Sequence, residues 1–178
     1  ASDGAASDYF GLSVALDGDT ALVGAYYDTV GVNANQGSAY VFVRSGTTWS
    51  QQQKLTASDG AASDWFGYSV ALDGNTALVG AHKDDVGLNP DQGSAYVFVR
   101  SGTTWSQQGQ LTYSSGTATD YFGYSVALDG DTALVGAYYD DYLSYINNGS
   151  AWVFVRDGTT WSVQGGLIAS DIASGDKF

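Results

Sequence analysis

The 178-residue sequence has no cysteine, no methionine and no glutamate, one proline and one histidine. Without Cys, neither a disulfide framework nor a thiolate metal site can form. With a single His, no His-based metal cluster or repeated catalytic base can be assembled. All 19 acidic residues are Asp, and the residues that populate helix surfaces (Glu, Met, Lys) are missing or scarce, which excludes a largely helical chain. Lys and Arg together number six, for a formal charge of -13 and a pI near 4.1. So few cations neutralise few phosphates, and neither nucleic acid nor an anionic membrane surface is an expected partner. No apolar run approaches the roughly 18 residues of a spanning helix, so no membrane insertion is expected. Beginning at Ala1 rather than Met, the chain reads as a processed product or a piece of something longer.

What is abundant points to pleated sheet. Gly, at 24 residues, is about twice its usual share. Aromatics make up 14%, and Val, Thr and Tyr pack well on a pleated surface, while Asp-Gly and Ser-Gly pairs supply turns. The chain is also internally repetitive. Phe10-Gly11, Phe66-Gly67 and Phe122-Gly123 fall 56 residues apart, with Phe178 where the next would be. Three units follow, 1–56, 57–112 and 113–168, with 169–178 as the start of a fourth, and the first two units differ at only 11 positions.

Within the second unit, Phe66 to Leu72 alternates large Phe66, Tyr68, Val70 and Leu72 with small Gly67, Ser69 and Ala71, the period of a strand. Asp73-Gly74-Asn75 turns tightly into a second strand, Thr76 to Ala81. A loop from Lys83 to Gly93 leads to Ser94 to Arg100, whose Tyr96-Val97-Phe98-Val99 is apolar on both faces and so must be covered on both. Trp105 to Leu111, with Gln at its other positions, suits an outer edge. A four-stranded sheet that is apolar on both faces needs a like sheet on each side. An all-β propeller of such blades is the expected fold, with a linear β-solenoid as the competing arrangement.

The repeated Phe-Gly followed by Gly24-Ala25-Tyr26, Gly80-Ala81-His82 and Gly136-Ala137-Tyr138 resembles the FG-GAP repeat family, the blade unit of integrin α-chain propellers and of many bacterial surface proteins. Tyr or His stands where the family motif carries Pro. The resemblance implies an extracellular or cell-surface propeller, devoted to adhesion or structure rather than catalysis, and in many members a calcium-binding loop in the first hairpin of a blade. Here that hairpin is as short as Asp17-Gly18-Asp19, Asp73-Gly74-Asn75 or Asp129-Gly130-Asp131, so Asp17, Asp73 and Asp129 read as turn formers.

Two sets of residues are candidates for a site. Asp8, Asp64, Asp120 and Asp176 precede each Phe-Gly by two positions, and Asp3, Asp59 and Asp171 stand five further upstream. Either these carboxylates bond nearby backbone N–H groups, or pairs of them hold calcium at the blade junctions. The second set lies in the loops where the units differ: Tyr26, Tyr27 and Asp28; His82, Lys83, Asp84 and Asp85; Tyr138, Tyr139, Asp140 and Asp141, with Tyr142 and Tyr145 beyond. Such tyrosines either grip a sugar ring or a protein partner, or pack against the neighbouring blade. Asn148-Gly149-Ser150 matches a glycosylation sequon. No Ser has a repeated base partner, so no enzyme is expected. Closed propellers have four to eight blades. Three units therefore call for self-association, as a ring or a filament, or for further repeats of a parent chain. The expected function is an extracellular adhesion or structural module, or alternatively a carbohydrate-binding propeller.

Overall fold

A computed structural model describes residues 3–141 and 145–177. Tyr142 and Phe178 lie outside the described residues. Unit 1 forms β1 (Val14–Asp17), β2 (Thr20–Ala25), β3 (Ser38–Ser45) and β4 (Thr48–Leu55). Unit 2 forms β5 (Ser69–Asp73), β6 (Thr76–Ala81), β7 (Ser94–Ser101) and β8 (Thr104–Leu111). Unit 3 forms β9 (Phe122–Asp129), β10 (Thr132–Ala137), β11 (Ser150–Asp157) and β12 (Thr160–Leu167). Each unit is one antiparallel sheet in chain order, and no helix occurs among the described residues. The three sheets are propeller blades. Their first strands lie against one another, β1 on β5 and β5 on β9, while the outer strands β4, β8 and β12 fan apart.

The first strand starts later than its alternation suggests. Trp65 and Gly67 have φ of 60° and 90°, outside the β region, so the chain kinks at Phe66 and regular pairing begins at Ser69. The kink lets Phe66 N–H donate to Gln36 O of the preceding blade at 2.8 Å and Gly67 N–H donate to Gly80 O at 3.0 Å. Gly is required nearby for a second reason. A Cβ at Gly80 would lie 2.0 Å from Gly123 O, and one at Gly24 equally close to Gly67 O, because neighbouring blades meet there backbone to backbone.

The core consists of the two blade junctions. Between blades 1 and 2, Leu22, Val41 and Leu55 pack on Phe66, Val79, Phe98 and Trp105; between blades 2 and 3, Leu78, Val97 and Leu111 pack on Phe122, Val135 and Phe154. Blade 2 is covered on both faces, and all six residues of β6 are buried. In β2 and β10 burial alternates, because one face of each end blade is uncovered.

Four hydrogen bonds recur at both junctions. Ser13 Oγ donates to Gly67 O at 2.8 Å, as Ser69 Oγ does to Gly123 O at 2.7 Å. Gly74 N–H donates to the Asp17 carboxylate at 2.7 Å, and Gly130 N–H to that of Asp73 at 2.5 Å. Arg100 reaches Thr20 Oγ1 at 3.0 Å and Arg156 reaches Thr76 Oγ1 at 3.2 Å. The Trp105 indole N–H donates to Gln52 and that of Trp161 to Gln108, both at 2.9 Å. Asp17 and Asp73 thus do more than form turns: each carboxylate ties its hairpin to the hairpin of the next blade.

Candidate functional site

The differing loops follow the second strand of each blade, and the residue before each Phe-Gly lies at the same end of the sheets. Together they build a belt of aromatic rings that crosses both junctions. Tyr9 stacks on Tyr26 at 5.4 Å between centroids, and Tyr26 meets Trp65 edge-on at 5.5 Å. Tyr27 lies 5.2 Å from Trp65. Trp65 and Tyr68 contact the His82 ring at 5.3 and 4.1 Å, and His82 contacts Tyr121 and Tyr124 at 5.4 and 5.1 Å. Tyr121 meets Tyr139 edge-on at 5.2 Å, and Tyr124 stacks on Tyr138 at 4.7 Å. Two of the chain's three lysines sit on this belt, Lys83 with its ammonium 4.3 Å from the Trp65 centroid and Lys177 with its own 4.7 Å from that of Tyr139. Tyr9 is exposed and the other tyrosines and Trp65 are half-buried, so the belt has an inner side that packs blade on blade and an outer side open to solvent. Both readings of these tyrosines therefore have a physical basis in the same rings.

His82 is the exception, buried at the centre of the belt with its Nδ1 unpartnered. Burial, with Lys83 adding to it, pushes its pKa down to about 3 and keeps the ring neutral. The loop acids are also turned inward. Asp28 accepts hydrogen bonds from Ser38 at 2.5 Å and Tyr40 at 3.2 Å and pairs with Lys54 at 2.6 Å. Asp84 accepts from Ser94 at 2.5 Å, Tyr96 at 2.8 Å and Gln110 at 2.9 Å. Asp140 accepts from Ser150. Burial raises the pKa of Asp84 even against those hydrogen bonds. Asp85 and Asp141 are exposed and close their own loops, accepting from Asp91 N–H at 2.9 Å and Asn147 N–H at 2.6 Å. Tyr145 is exposed. Asn148 of the sequon is wholly buried and donates to Gly149 O at 3.0 Å, so its side chain is not presented to solvent.

The acids before each Phe-Gly bond backbone. Asp8 accepts from Ala5 N–H at 2.6 Å, Asp64 from Ala61 N–H at 2.5 Å, Asp120 from Thr117 N–H at 2.6 Å and Asp176 from Ala173 N–H at 2.6 Å. Burial pushes the Asp64 carboxyl up to about 7 and raises Asp120 as well, the latter against the hydrogen bond from Tyr113. Asp3 accepts from Lys54 at 2.6 Å and from Tyr40 at 2.9 Å. Asp59 and Asp171 are exposed. Calcium requires six to eight oxygen ligands. Here the carboxylates of Asp8, Asp64, Asp120 and Asp176 face N–H or O–H donors, an ammonium lies between Asp3 and Asp28, and Asp59 and Asp171 stand exposed; among the described residues no three carboxylate or imidazole side chains converge on one point. The residues present do not fit a calcium site.

Three connecting features were not legible in the sequence: the inter-blade carboxylates of Asp17 and Asp73, the Arg–Thr contacts and the Gln–Trp contacts. Their constant 56-residue recurrence was the available signal, but recurrence alone does not tell an inter-blade bond from a local one. Comparison with curated proteins finds no match. A family model described as FG-GAP repeat matches residues 1–42, 49–98 and 105–154, the second and third segments each running from the outer strand of one blade through the inner strands of the next. With four-stranded blades recurring at a 56-residue period and the Phe-Gly kink at each junction, the chain belongs to the FG-GAP repeat family.

Proposed function

We propose that this chain is an extracellular, non-enzymatic adhesion module that uses the aromatic belt to hold a protein partner at a surface. The observation that carries this reading is the belt itself, a row of half-buried rings running across three blades with two ammonium groups laid on it. Half-buried Tyr and Trp supply large contact area at low entropic cost, and such residues dominate the energetics of protein interfaces. The rings also brace one another, so little ordering is left to be done on binding. A chain of net charge -13 repels polyanions, which favours a neutral or basic partner.

The settings of the imidazole and of the loop acids support a binding rather than a catalytic role. The one imidazole is neutral and walled in by rings, Asp28 and Asp84 each meet three internal donors, and Asp140 accepts from Ser150. Tyr9 favours a second reading, carbohydrate binding, because it is exposed and stands beside the open groove of about 330 Å³ lined by Asp3, Asp8, Tyr27, Asp28 and Lys54. Two parallel assays separate the readings: retention of the immobilised chain's binding to candidate surface proteins, and a glycan array. Tyr27→Ala with Tyr139→Ala is expected to reduce binding at least tenfold in one of them. Unchanged binding in both, with the fold intact, overturns the assignment of the site.

A further inference from the structure

We propose that the free face of blade 3 receives the free face of blade 1 of a second copy of this chain, through the same contacts that join blades within the chain. The two end faces are the separated halves of the internal junction. On blade 1, Phe10 and Trp49 are 46% and 40% exposed, whereas Phe66 and Trp105, their equivalents on blade 2, are 0% and 2% exposed. On blade 3, Leu167 is 47% exposed, whereas Leu55 and Leu111 are buried to 1% and 2%. Each exposed residue thus has a counterpart that is buried wherever a neighbouring blade is present.

The polar groups of the junction are split between the ends in the same way. Blade 3 carries Ser125, Asp129, Thr132 and Gln164, the equivalents of the Ser, Asp, Thr and Gln that bond forward to the next blade at both internal junctions. All four are exposed, while Thr20 and Thr76, which receive an arginine, are buried. Their complements are on blade 1 at the matching register: Gly11 O for Ser125, Gly18 N–H for Asp129, Arg44 for Thr132 and the Trp49 indole for Gln164. Arg44 holds its own Asp19 at 2.6 Å, as Arg156 holds Asp131, so its guanidinium is already set in the arrangement used at an internal junction.

Gly136 singles out a blade as what covers blade 3. At Gly24 and Gly80 the backbone oxygen of the next blade leaves no room for a Cβ; at Gly136 a Cβ would meet only atoms of Ser125, its Oγ at 2.4 Å and the others at ordinary contact distance, so within the chain one rotatable hydroxyl alone stands in the way. Unit 3 departs from unit 2 at 20 positions, and it nonetheless retains Gly136 and all four bonding residues. The C-terminal segment adds a condition. Gly175 N–H donates to Ile146 O at 2.8 Å, as Ser63 does to Ala34 at 2.9 Å, so residues 173–177 occupy on blade 3 the position that residues 61–65 occupy on blade 1. Residues 5–9 of the second copy displace them, and this competition raises the concentration at which association sets in.

The test is mass in solution by sedimentation from low to high micromolar concentration, with paired variants. The wild type is expected to move from 18.6 kDa to twice that mass if two copies close a ring of six blades, or to a ladder of higher masses if the joints propagate openly. Val14→Asp disables the free face of blade 1 and Leu167→Asp that of blade 3, both at exposed positions. Each variant alone is expected to remain a monomer, and an equimolar mixture to form a complex of two chains through the one intact joint. Circular dichroism checks the fold; Thr132→Arg, which sets a second guanidinium against Arg44, replaces Leu167→Asp if that variant is unfolded. A wild type that stays monomeric throughout, single variants that assemble like the wild type, or a mixture that stays monomeric would each overturn the proposal.

Discussion

His82 stands where the other two units carry Tyr26 and Tyr138, and it is buried at the centre of the belt. Its folded pKa is held down near 3 by burial and by Lys83, while Tyr68, Tyr121 and Tyr124 face it from the neighbouring elements. Between pH 6.5 and 3 the unfolded chain therefore binds a proton that the folded chain does not, and stability present above 6.5 is lost as pH falls through that window. His82→Tyr removes this linkage, and its melting temperature is expected to fall less than that of the wild type between pH 7 and 4. Asp64 acts with the opposite sign. Its folded pKa is raised to about 7 from 3.8, so the stability it contributes is fully present below 3.8 and is lost as pH rises through 7. Asp64→Asn keeps an oxygen for Ala61 N–H but carries no charge to bury. The variant is expected to melt higher than the wild type at pH 8, with the difference vanishing near pH 4; thermal melts across that range check both variants.

At the scale of strands and turns, the closest contact is between the second strand of one blade and the Phe-Gly kink of the next. Gly80→Ala drives a Cβ into the Gly123 carbonyl 2.0 Å away; the carbonyl is backbone and the Cβ is fixed by the backbone that bears it, so neither can rotate aside. The expected cost is about 2–4 kcal/mol, or several degrees of melting temperature. Gly109→Ala on β8, where nothing lies within 4 Å, is the control and is expected to be near neutral by the same melting assay. Element order and hairpins could be read from the sequence because they depend on local chemistry: period-two alternation in Val70 and Leu72, Asp73-Gly74 at the turn, Gln on the outer strand. The kink at Phe66 could not, since its positive φ values are held by bonds to the preceding blade. The use of Asp17 was equally invisible, because its acceptor role depends on Gly74, 57 residues away, coming within 2.7 Å. The candidate site was half legible: the loops that differ were the right place to look, but nothing in Tyr26-Tyr27-Asp28 says that the acid turns inward while the rings form a belt. The same inward turn of the junction carboxylates means that EGTA is expected to leave the melting temperature unchanged; a drop of several degrees would show that calcium is held after all.

Across the whole molecule, stability is graded by how many neighbours a blade has. A blade exposes apolar surface at roughly 25 cal/mol per Å² wherever it lacks a neighbour, so blade 2, covered twice, is held by both junctions and each end blade by one. Local opening in such an array costs the interfaces that are broken and little else. Amide exchange is therefore expected to be slowest in β6 and β7, where all six residues of the first and the first five of the second are buried, and fastest in β1 and β12, which are largely exposed. At low concentration this profile follows from the fold alone. If copies join end to end, the exchange of β1 and β12 slows as concentration rises, while that of β6 and β7 changes only as far as global opening contributes, because association protects what binding buries. Exchange measured strand by strand at two concentrations thus separates the gradient within one chain from the joint between chains: uniform protection across β1 to β12 at low concentration would contradict the graded stability, and a gradient that ignores concentration would leave the blades graded but the ends unjoined.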